Sequence, residues 1–553
     1  MKKVAVLIIL LFSCNVLSAQ MQDDKNHQLE LLIKIWGFLK YYHPAVARGS
    51  MDWDKEFVTE AKAILDENES TARLNEHYIR WIESLGDIQQ YPSHSLAFDT
   101  VCNYNTSLEW IETDMEIQTQ LRNVLKEVIV HRYAGNNRFV ERQSRLLGAA
   151  RFKNEAAYPE MVYPGIEYRL LTVARFWNMI EYFYPYKYLT DEPWKDVLTD
   201  IVPLVSSAND TLSYIRVLNK LVAQLRDSHS QLVPHVNLPY NLYVIPANVK
   251  IIHDSAIITE IRNDSMATID DLRKGDVILS VNDTSIKDLI IRRTPYIGAS
   301  NDAVIRRRLE QSITMGYSRF ASIKFDRDGK VFTKVVSRYT AEEIGIDNML
   351  KKGRGAWKVI ADDIGYIDMG VLNRKEVIPT LKALRKTKAI IFDQRNYPNM
   401  TMHDICTYLS TKKTAFAKGI VPDHTYPGKF YCEKALSYGR KKYRHRNTGK
   451  IIILVNEITQ SRAEFTTMGL QALPNSICIG SQTAGADGDR VDIVLPGNYT
   501  LIMSGVGYYY PDGRQTQRVG VHIDLPTEPT IKGIRAQKDE ILERAIGYAN
   551  SGQ

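Results

Sequence analysis

The sequence predicts a multidomain α+β protein, and three changes of pattern along it carry that prediction. Apolar residues recur at helical spacing through roughly the first 230 residues; short alternating strands follow over 240–338; from about 345, near-continuous apolar strands alternate with amphipathic helices. A chain of 553 residues is too long for one hydrophobic core, so several domains are required. Its 44% hydrophobic and 24% charged residues are those of an ordinary globular protein. The boundaries expected are 1–19 for a targeting segment, 20–150 and 151–238 for two helical units, 240–338 for the β-rich module and 345–553 for the α/β domain.

The targeting segment rests on Lys2 and Lys3 before VAVLIILLF (4–12), followed by LSA (17–19), which offers small residues for cleavage before Gln20. Its apolar part is too short to span a bilayer. An exported protein, periplasmic or in the cell envelope, is therefore expected. Lipidation at Cys14 is the rival reading, which the bulky Phe12 fits poorly. No other stretch has the length to cross a membrane. Cys102, Cys406, Cys432 and Cys478 are far apart and form no CxxC pair, so they read as buried thiols, neither a zinc site nor a disulfide framework.

Each helical unit repeats the other. LLIKIWGFLKYYHP (31–44) aligns with LTVARFWNMIEYFYP (171–185), placing Trp36 against Trp177 and Pro44 against Pro185. The same offset pairs Trp53 with Trp194, and WIESLGDIQQ (81–90) lines up with LVAQLRDSHS (221–230) after a one-residue gap. Two or three packed helices with a Pro-terminated turn account for each copy. The tryptophans read as core. Where the second copy has Asp227-Ser228-His229-Ser230, the first has Asp87-Ile88-Gln89-Gln90, so packing does not demand a histidine there.

In the β-rich module, LRKGDVILSVND has a Gly-Asp turn between strands, and ASIKFDRDGKVFTKVV reads as a hairpin turning at Asp328-Gly329. In the α/β domain, strands are expected at 364–369, 388–394, 450–457 and 477–482, forming a mostly parallel sheet covered on both faces.

Ser461 follows the third of these strands and opens the helix SRAEFTTMGLQAL. There its oxygen meets the positive end of the helix dipole, and the N–H of Arg462 is available to an oxyanion. A second donor is expected from DQRNYPN (393–399), near Asn399 and Met400. The competing reading is a helix cap, with Glu464 completing a capping box. No GxSxG elbow is present.

LRKGDVILSVND resembles a PDZ domain, which implies a module that adds a peptide strand to its sheet edge. D-x-H at 227–229, D-x-R-N at 393–396, N-x-x-x-x-S-x-x-E at 456–464 and G-x-x-T-x-G at 480–485 follow in the order of the C-terminal-processing (tail-specific) serine peptidases and their tricorn-like relatives. The resemblance spans about 160 to 550. It implies a crotonase-like (ClpP-like) α/β catalytic domain, Ser461 as nucleophile, and an oxyanion hole from Arg462 and the Asn399 turn.

Three positions depart from that pattern. Tail-specific members carry a lysine directly after T-x-G, where this chain has Ala486. The tricorn-like branch uses the histidine of D-x-H, which falls on His229 as general base. The acid expected to orient it falls on Gln517, an amide; Ser228, Ser230, Asp227 and Asp487 are the substitutes at hand. Asn399-Met400 replaces a Gly-Gly pair that lets the backbone turn its N–H toward substrate.

The reading is an exported serine peptidase acting on peptides or unfolded proteins through a Ser461 acyl-enzyme, with the PDZ-like module presenting or gating the substrate. The alternative is a catalytically impaired peptide- or ligand-binding protein that retains the scaffold. The net charge of +7 has its densest source at 434–450, which reads as a solvated loop, and no nucleic-acid motif accompanies it. HExxH, a Walker loop and a strand-borne GxGxxG are all missing, and the 12 histidines are scattered, so no metal or cofactor is expected.

Overall fold

The computed structural model describes residues 2–67, 70–92, 108–143, 148–235, 241–345, 355–361, 363–439 and 449–551, with side chains from residue 22 onward apart from Gln311. The side chains of the expected export signal, Cys102 and most of the basic run at 434–450 lie outside the described residues. The protein is mixed α+β, helical toward the N-terminus and rich in strands beyond residue 230.

Two long helices, Lys2–Tyr42 and Ile166–Phe183, centre the helical region, and each stops just before a proline, Pro44 and Pro185. A buried indole N–H needs an acceptor. Trp36 Nε1 donates to the Trp53 carbonyl at 2.8 Å, and Trp53 Nε1 to the Trp36 carbonyl at 3.1 Å. Trp177 and Trp194 exchange the same pair of bonds, at 3.0 and 3.1 Å. The two long helices cross where Asn178 Nδ2 reaches the Ile33 carbonyl at 2.8 Å. A Cβ on Gly37 would lie 1.8 Å from Asn178 Cγ, so the crossing depends on glycine. Gly37→Ala is expected to cost about 1–3 kcal/mol through overpacking, read as a lower urea midpoint. An unchanged midpoint would show that the helices separate freely.

The β-rich module is an antiparallel sheet in the order Ala247–Ile252, Ser255–Ile261, Val277–Val281, Phe320–Arg327, Lys330–Ser337. Its last hairpin turns at Asp328-Gly329, both with positive φ (52° and 82°). A helix, Asp302–Ser312, packs on the sheet through Val304, Ile305 and Leu309, and Ala484 of the α/β domain joins the same core.

The α/β sheet runs Trp357–Ile360, Ile364–Asp368, Ala389–Asp393, Lys450–Val455, Ser476–Gly480, Leu525–Pro526. The first junction is antiparallel and the rest are parallel. One face, with Phe392, Ile451 and Ile453, packs on the helix Arg462–Gln471 through Met468 and Leu470. The other, with Ile391, Ile452 and Leu454, is covered by the helix Glu540–Ser551 through Ile541 and Ala545. Burial on both faces is why these strands read as unbroken apolar runs. In a separate three-stranded sheet Tyr499–Ser504 is the central strand, paired on one side with Gln231–Pro234, at the end of the helical region, and on the other with Arg490–Leu495. That pairing brings residues 227–230 to the α/β domain.

Cys406 and Cys478 are buried free thiols, as expected. Cys432 is not: it is disulfide-bonded. It ends the short strand Phe430–Cys432 at an exposed position, outside the core that shields the other two. Among the described residues no helix is long and apolar enough to cross a membrane, and no group of three or more His, Cys, Asp or Glu is placed to hold a metal.

Candidate active site

The strand Lys450–Val455 ends in a tight turn before Ser461. Asn456 N–H donates to Thr459 Oγ1 at 3.1 Å, Thr459 N–H to the Asn456 carbonyl at 2.9 Å, and Thr459 Oγ1 to the Gln394 carbonyl at 2.9 Å. Ser461 follows with φ 57° and ψ −121°, a conformation that costs a side-chain-bearing residue of the order of 1–3 kcal/mol. The helix Arg462–Gln471 starts directly after it, and the Arg462 N–H, in the first turn, has no intrahelical acceptor.

Glu464 does more than cap. It is fully buried and accepts from Thr483 Oγ1 (2.6 Å), Gly485 N–H (2.8 Å), Ala486 N–H (3.0 Å) and Ser461 N–H (3.3 Å). One carboxylate thereby fastens the Thr483-Ala484-Gly485 turn to the turn of Ser461. Burial pushes its pKa up to about 7, against the pull of those donors. Gly485 makes the fit possible: its φ is 60°, and a Cβ there would lie 2.7 Å from the Arg518 backbone. Ala486 is buried, and its carbonyl accepts the Ser461 N–H at 3.0 Å.

The turn at 227–230 reaches this serine turn through several bonds. Gln460 Nε2 donates to the Ser228 carbonyl at 3.0 Å, joining the residues that immediately precede Ser461 and His229. Ser228 Oγ donates to the Ala484 carbonyl at 2.8 Å and receives the Ser300 N–H at 2.9 Å. Two arginines of the helix Asp302–Ser312 brace both sides. Arg307 binds the Glu457 carbonyl (2.6 Å) and Gln460 Oε1 (2.7 Å). Arg308 binds the carbonyls of Ser228 and Ser230 (both 2.7 Å) and of Gly298.

His229 Nδ1 lies 2.8 Å from Ser504 Oγ, and Ser504 Oγ donates to Asp227 Oδ1 at 3.0 Å. Asp227, fully buried, also accepts the backbone N–H of His229 (2.9 Å) and of Ser504 (2.7 Å). Burial lowers the pKa of the imidazole; Asp227 opposes that, while Arg308, Arg490 and Arg307 add to it. Among the described residues Nε2 has no hydrogen-bond partner, and no hydrogen bond joins the ring to Ser461.

The remaining expected positions fall as follows. Gln517 makes no hydrogen bond to the imidazole; its Nε2 donates to Asp227 Oδ1 at 3.4 Å. Ser228 is spent on Ala484 and Ser300, and the Ser230 hydroxyl has no hydrogen-bond partner among the described residues. Asp487 is buried, with its pKa raised by burial, and makes no bond to His229. Asn399 is exposed, has no positive φ, and donates its Nδ2 to the Leu372 carbonyl at 3.0 Å. Its turn nonetheless lies beside the serine helix, since Arg462 Nη1 donates to the Pro398 carbonyl at 3.3 Å. Ser504 was not among the expected residues. No motif marks it; the pairing of Gln231–Pro234 with Tyr499–Ser504 sets it beside His229.

Residues 363–527 match the model of peptidase family S41. Mature CPAF, solved in complex with lactacystin, is similar to the chain with a TM-score of 0.57 and 13% identity, over 70% of this chain and 99% of that one. The photosystem II D1 C-terminal processing protease has a TM-score of 0.38 and 12% identity, over 66% of this chain and 96% of its own. For the tricorn protease the values are 0.34 and 16%, over 69% of this chain and 36% of that one. No curated protein sequence matches the chain. The similarity to CPAF shows a shared fold, and the match of residues 363–527 to peptidase family S41 supports a serine-type peptidase.

Proposed function

We propose that the protein is an exported serine peptidase that cleaves peptide bonds of peptides or unfolded proteins through an acyl-enzyme on Ser461. The observation that carries this reading is the strained φ and ψ of Ser461 at a helix start whose turn is hydrogen-bonded to the turn of His229. His229 Nε2 takes the Ser461 proton as Oγ bonds to the carbonyl carbon. The ring then returns that proton to the amine as the C–N bond breaks. Water, deprotonated by the same nitrogen, hydrolyses the ester and restores Ser461. The Arg462 N–H, with an N–H from the Asn399-Met400 turn, stabilises the oxyanion.

Around this centre, residues 20–150 and 151–238 are read as duplicated helical units, supported by the matching tryptophan bonds. Residues 240–338 are read as a PDZ-like module that presents or gates the substrate, and 345–553 as a crotonase-like catalytic domain. Export is supported by the signal-like residues 1–19 and by the disulfide at Cys432, a bond that persists in oxidising compartments.

A fluorophosphonate probe tests the site. Labelling mapped to Ser461 that falls away in His229→Ala is expected. A wild-type protein that stays unlabelled from about pH 6 to 9 would instead make the chain a binding protein on a peptidase scaffold.

A further inference from the structure

We propose that Ser504 is the positioning residue of the site, its hydroxyl connecting the Asp227 carboxylate to Nδ1 of His229 and so leaving Nε2 free to act as the base. The proposal rests on the reading of His229 as general base.

Asp227 Oδ1 stands 3.8 Å from Nδ1, beyond direct hydrogen-bond reach. Ser504 Oγ fills that interval, 2.8 Å from Nδ1 and 3.0 Å from Oδ1. A hydroxyl has a single proton, and an ionised carboxylate only accepts. If Ser504 donated to Nδ1, its oxygen lone pairs would face the carboxylate with no proton between them. The compatible arrangement has Nδ1–H donating to Ser504 and Ser504 donating to Asp227. This fixes the tautomer and places the imidazole lone pair on Nε2, the nitrogen without a hydrogen-bond partner among the described residues.

The relay is held rigidly. Asp227 accepts the backbone N–H groups of both residues it connects, His229 and Ser504. The antiparallel ladder pairs Leu501 with Leu232 and Ile502 with Gln231; continued by two residues, it sets Ser504 opposite His229. The side chain that bridges acid and base is therefore dictated by strand register.

When Nε2 takes the nucleophile's proton the ring becomes cationic while Nδ1–H stays in place. No proton passes to Asp227; the polarised hydroxyl transmits its charge. The groups facing the ring make this link necessary. Arg307 and Arg308 of the helix Asp302–Ser312 and Arg490 of the strand Arg490–Leu495 disfavour a cation, burial does the same, and Asp227 favours it. Gln517, where an orienting acid was expected, reaches Asp227 rather than the ring. The acid of this site lies in the histidine's own turn, and Ser504 makes the connection.

The test compares Ser504→Ala, Ser504→Thr and His229→Ala in the full chain on one peptide substrate. Ser504→Ala is expected to lower kcat by about 10²-fold with KM within about twofold. The base must be neutral to act, so the acidic limb of kcat/KM marks its pKa. With the coupling to Asp227 weakened the cation is less stable, and that limb moves to lower pH. Ser504→Thr, which keeps the hydroxyl, should restore most of kcat. Activity lost in His229→Ala but retained in Ser504→Ala with an unmoved limb would overturn the relay alone. Activity retained in His229→Ala would overturn the base assignment and the relay with it. A second readout needs no Ser504 variant: the ¹⁵N spectrum of His229, assigned by its loss in His229→Ala, should show the Nδ1–H tautomer above the ring's pKa. An Nε2–H tautomer would overturn the proposal.

Discussion

Replacing Ser461 by alanine is expected to lower kcat on a peptide substrate by about 10⁴–10⁶-fold, because the acyl-enzyme route is lost and only binding and oxyanion stabilisation remain. His229→Ala should cost nearly as much. The double variant should be little worse than either single one, since residues acting as a unit are not additive. A substitution to glycine separates chemistry from strain. Any side chain at φ 57° and ψ −121° bears a conformational cost, and Ser461→Gly removes it. That variant should be inactive yet about 1 kcal/mol more stable in urea than Ser461→Ala, because the strain relieved exceeds the entropy glycine adds to the unfolded chain. Equal stability of the two variants would show that the backbone at Ser461 is relaxed, and the geometric argument for a nucleophile would fail.

Glu464→Ala is expected to have the largest effect on stability. It strands Thr483 Oγ1 and the N–H groups of Gly485 and Ala486, each facing Glu464 alone of the two turns. At about 1–3 kcal/mol for each buried donor, with partial relaxation, the loss should be about 3–5 kcal/mol. Activity should fall with it even in the folded fraction, because the 483–486 turn is what Ser461 is fastened to. Glu464→Gln keeps the shape, but its amide nitrogen faces N–H donors, so it should recover only part of the loss. The pH dependence has a definite sign. The folded pKa, about 7, lies above the ordinary 4.5, so this carboxyl's contribution is complete below about pH 4.5 and is lost as pH rises through 7. That portion of the decline should be missing in Glu464→Gln. Full stability in Glu464→Ala would reduce the residue to a simple helix cap.

Much of the α/β domain was legible in the chain itself. The strands expected at 364–369, 388–394, 450–457 and 477–482 are found at Ile364–Asp368, Ala389–Asp393, Lys450–Val455 and Ser476–Gly480. A strand buried on both faces must be apolar throughout, and that run is local information. The hairpin at Asp328-Gly329 was legible for a similar reason, because consecutive positive φ values select few residues. Cys432 was misread because pattern alone does not tell a core thiol from one at the exposed end of a strand. Glu464 was legible as a cap, but its hold on residues 483–486 was not, since nothing local says which distant N–H groups a buried carboxylate will meet.

The sequence by itself determined the helical spacing toward the N-terminus, the alternation of strand and helix, and the positions of Ser461 at a helix start and of His229 just beyond the helical region. These follow from periodicity and chain order, which neighbouring residues encode. Tertiary structure alone decided how the candidate site is assembled: Asp227 rather than Gln517 as the acid linked to the histidine, Ser504 between acid and imidazole, and Arg307 and Arg308 of the β-rich module bracing both turns. The Ser504 and arginine contacts join segments some 80 to 277 residues apart. Strand register and helix packing set those meetings, and both are properties of the folded whole.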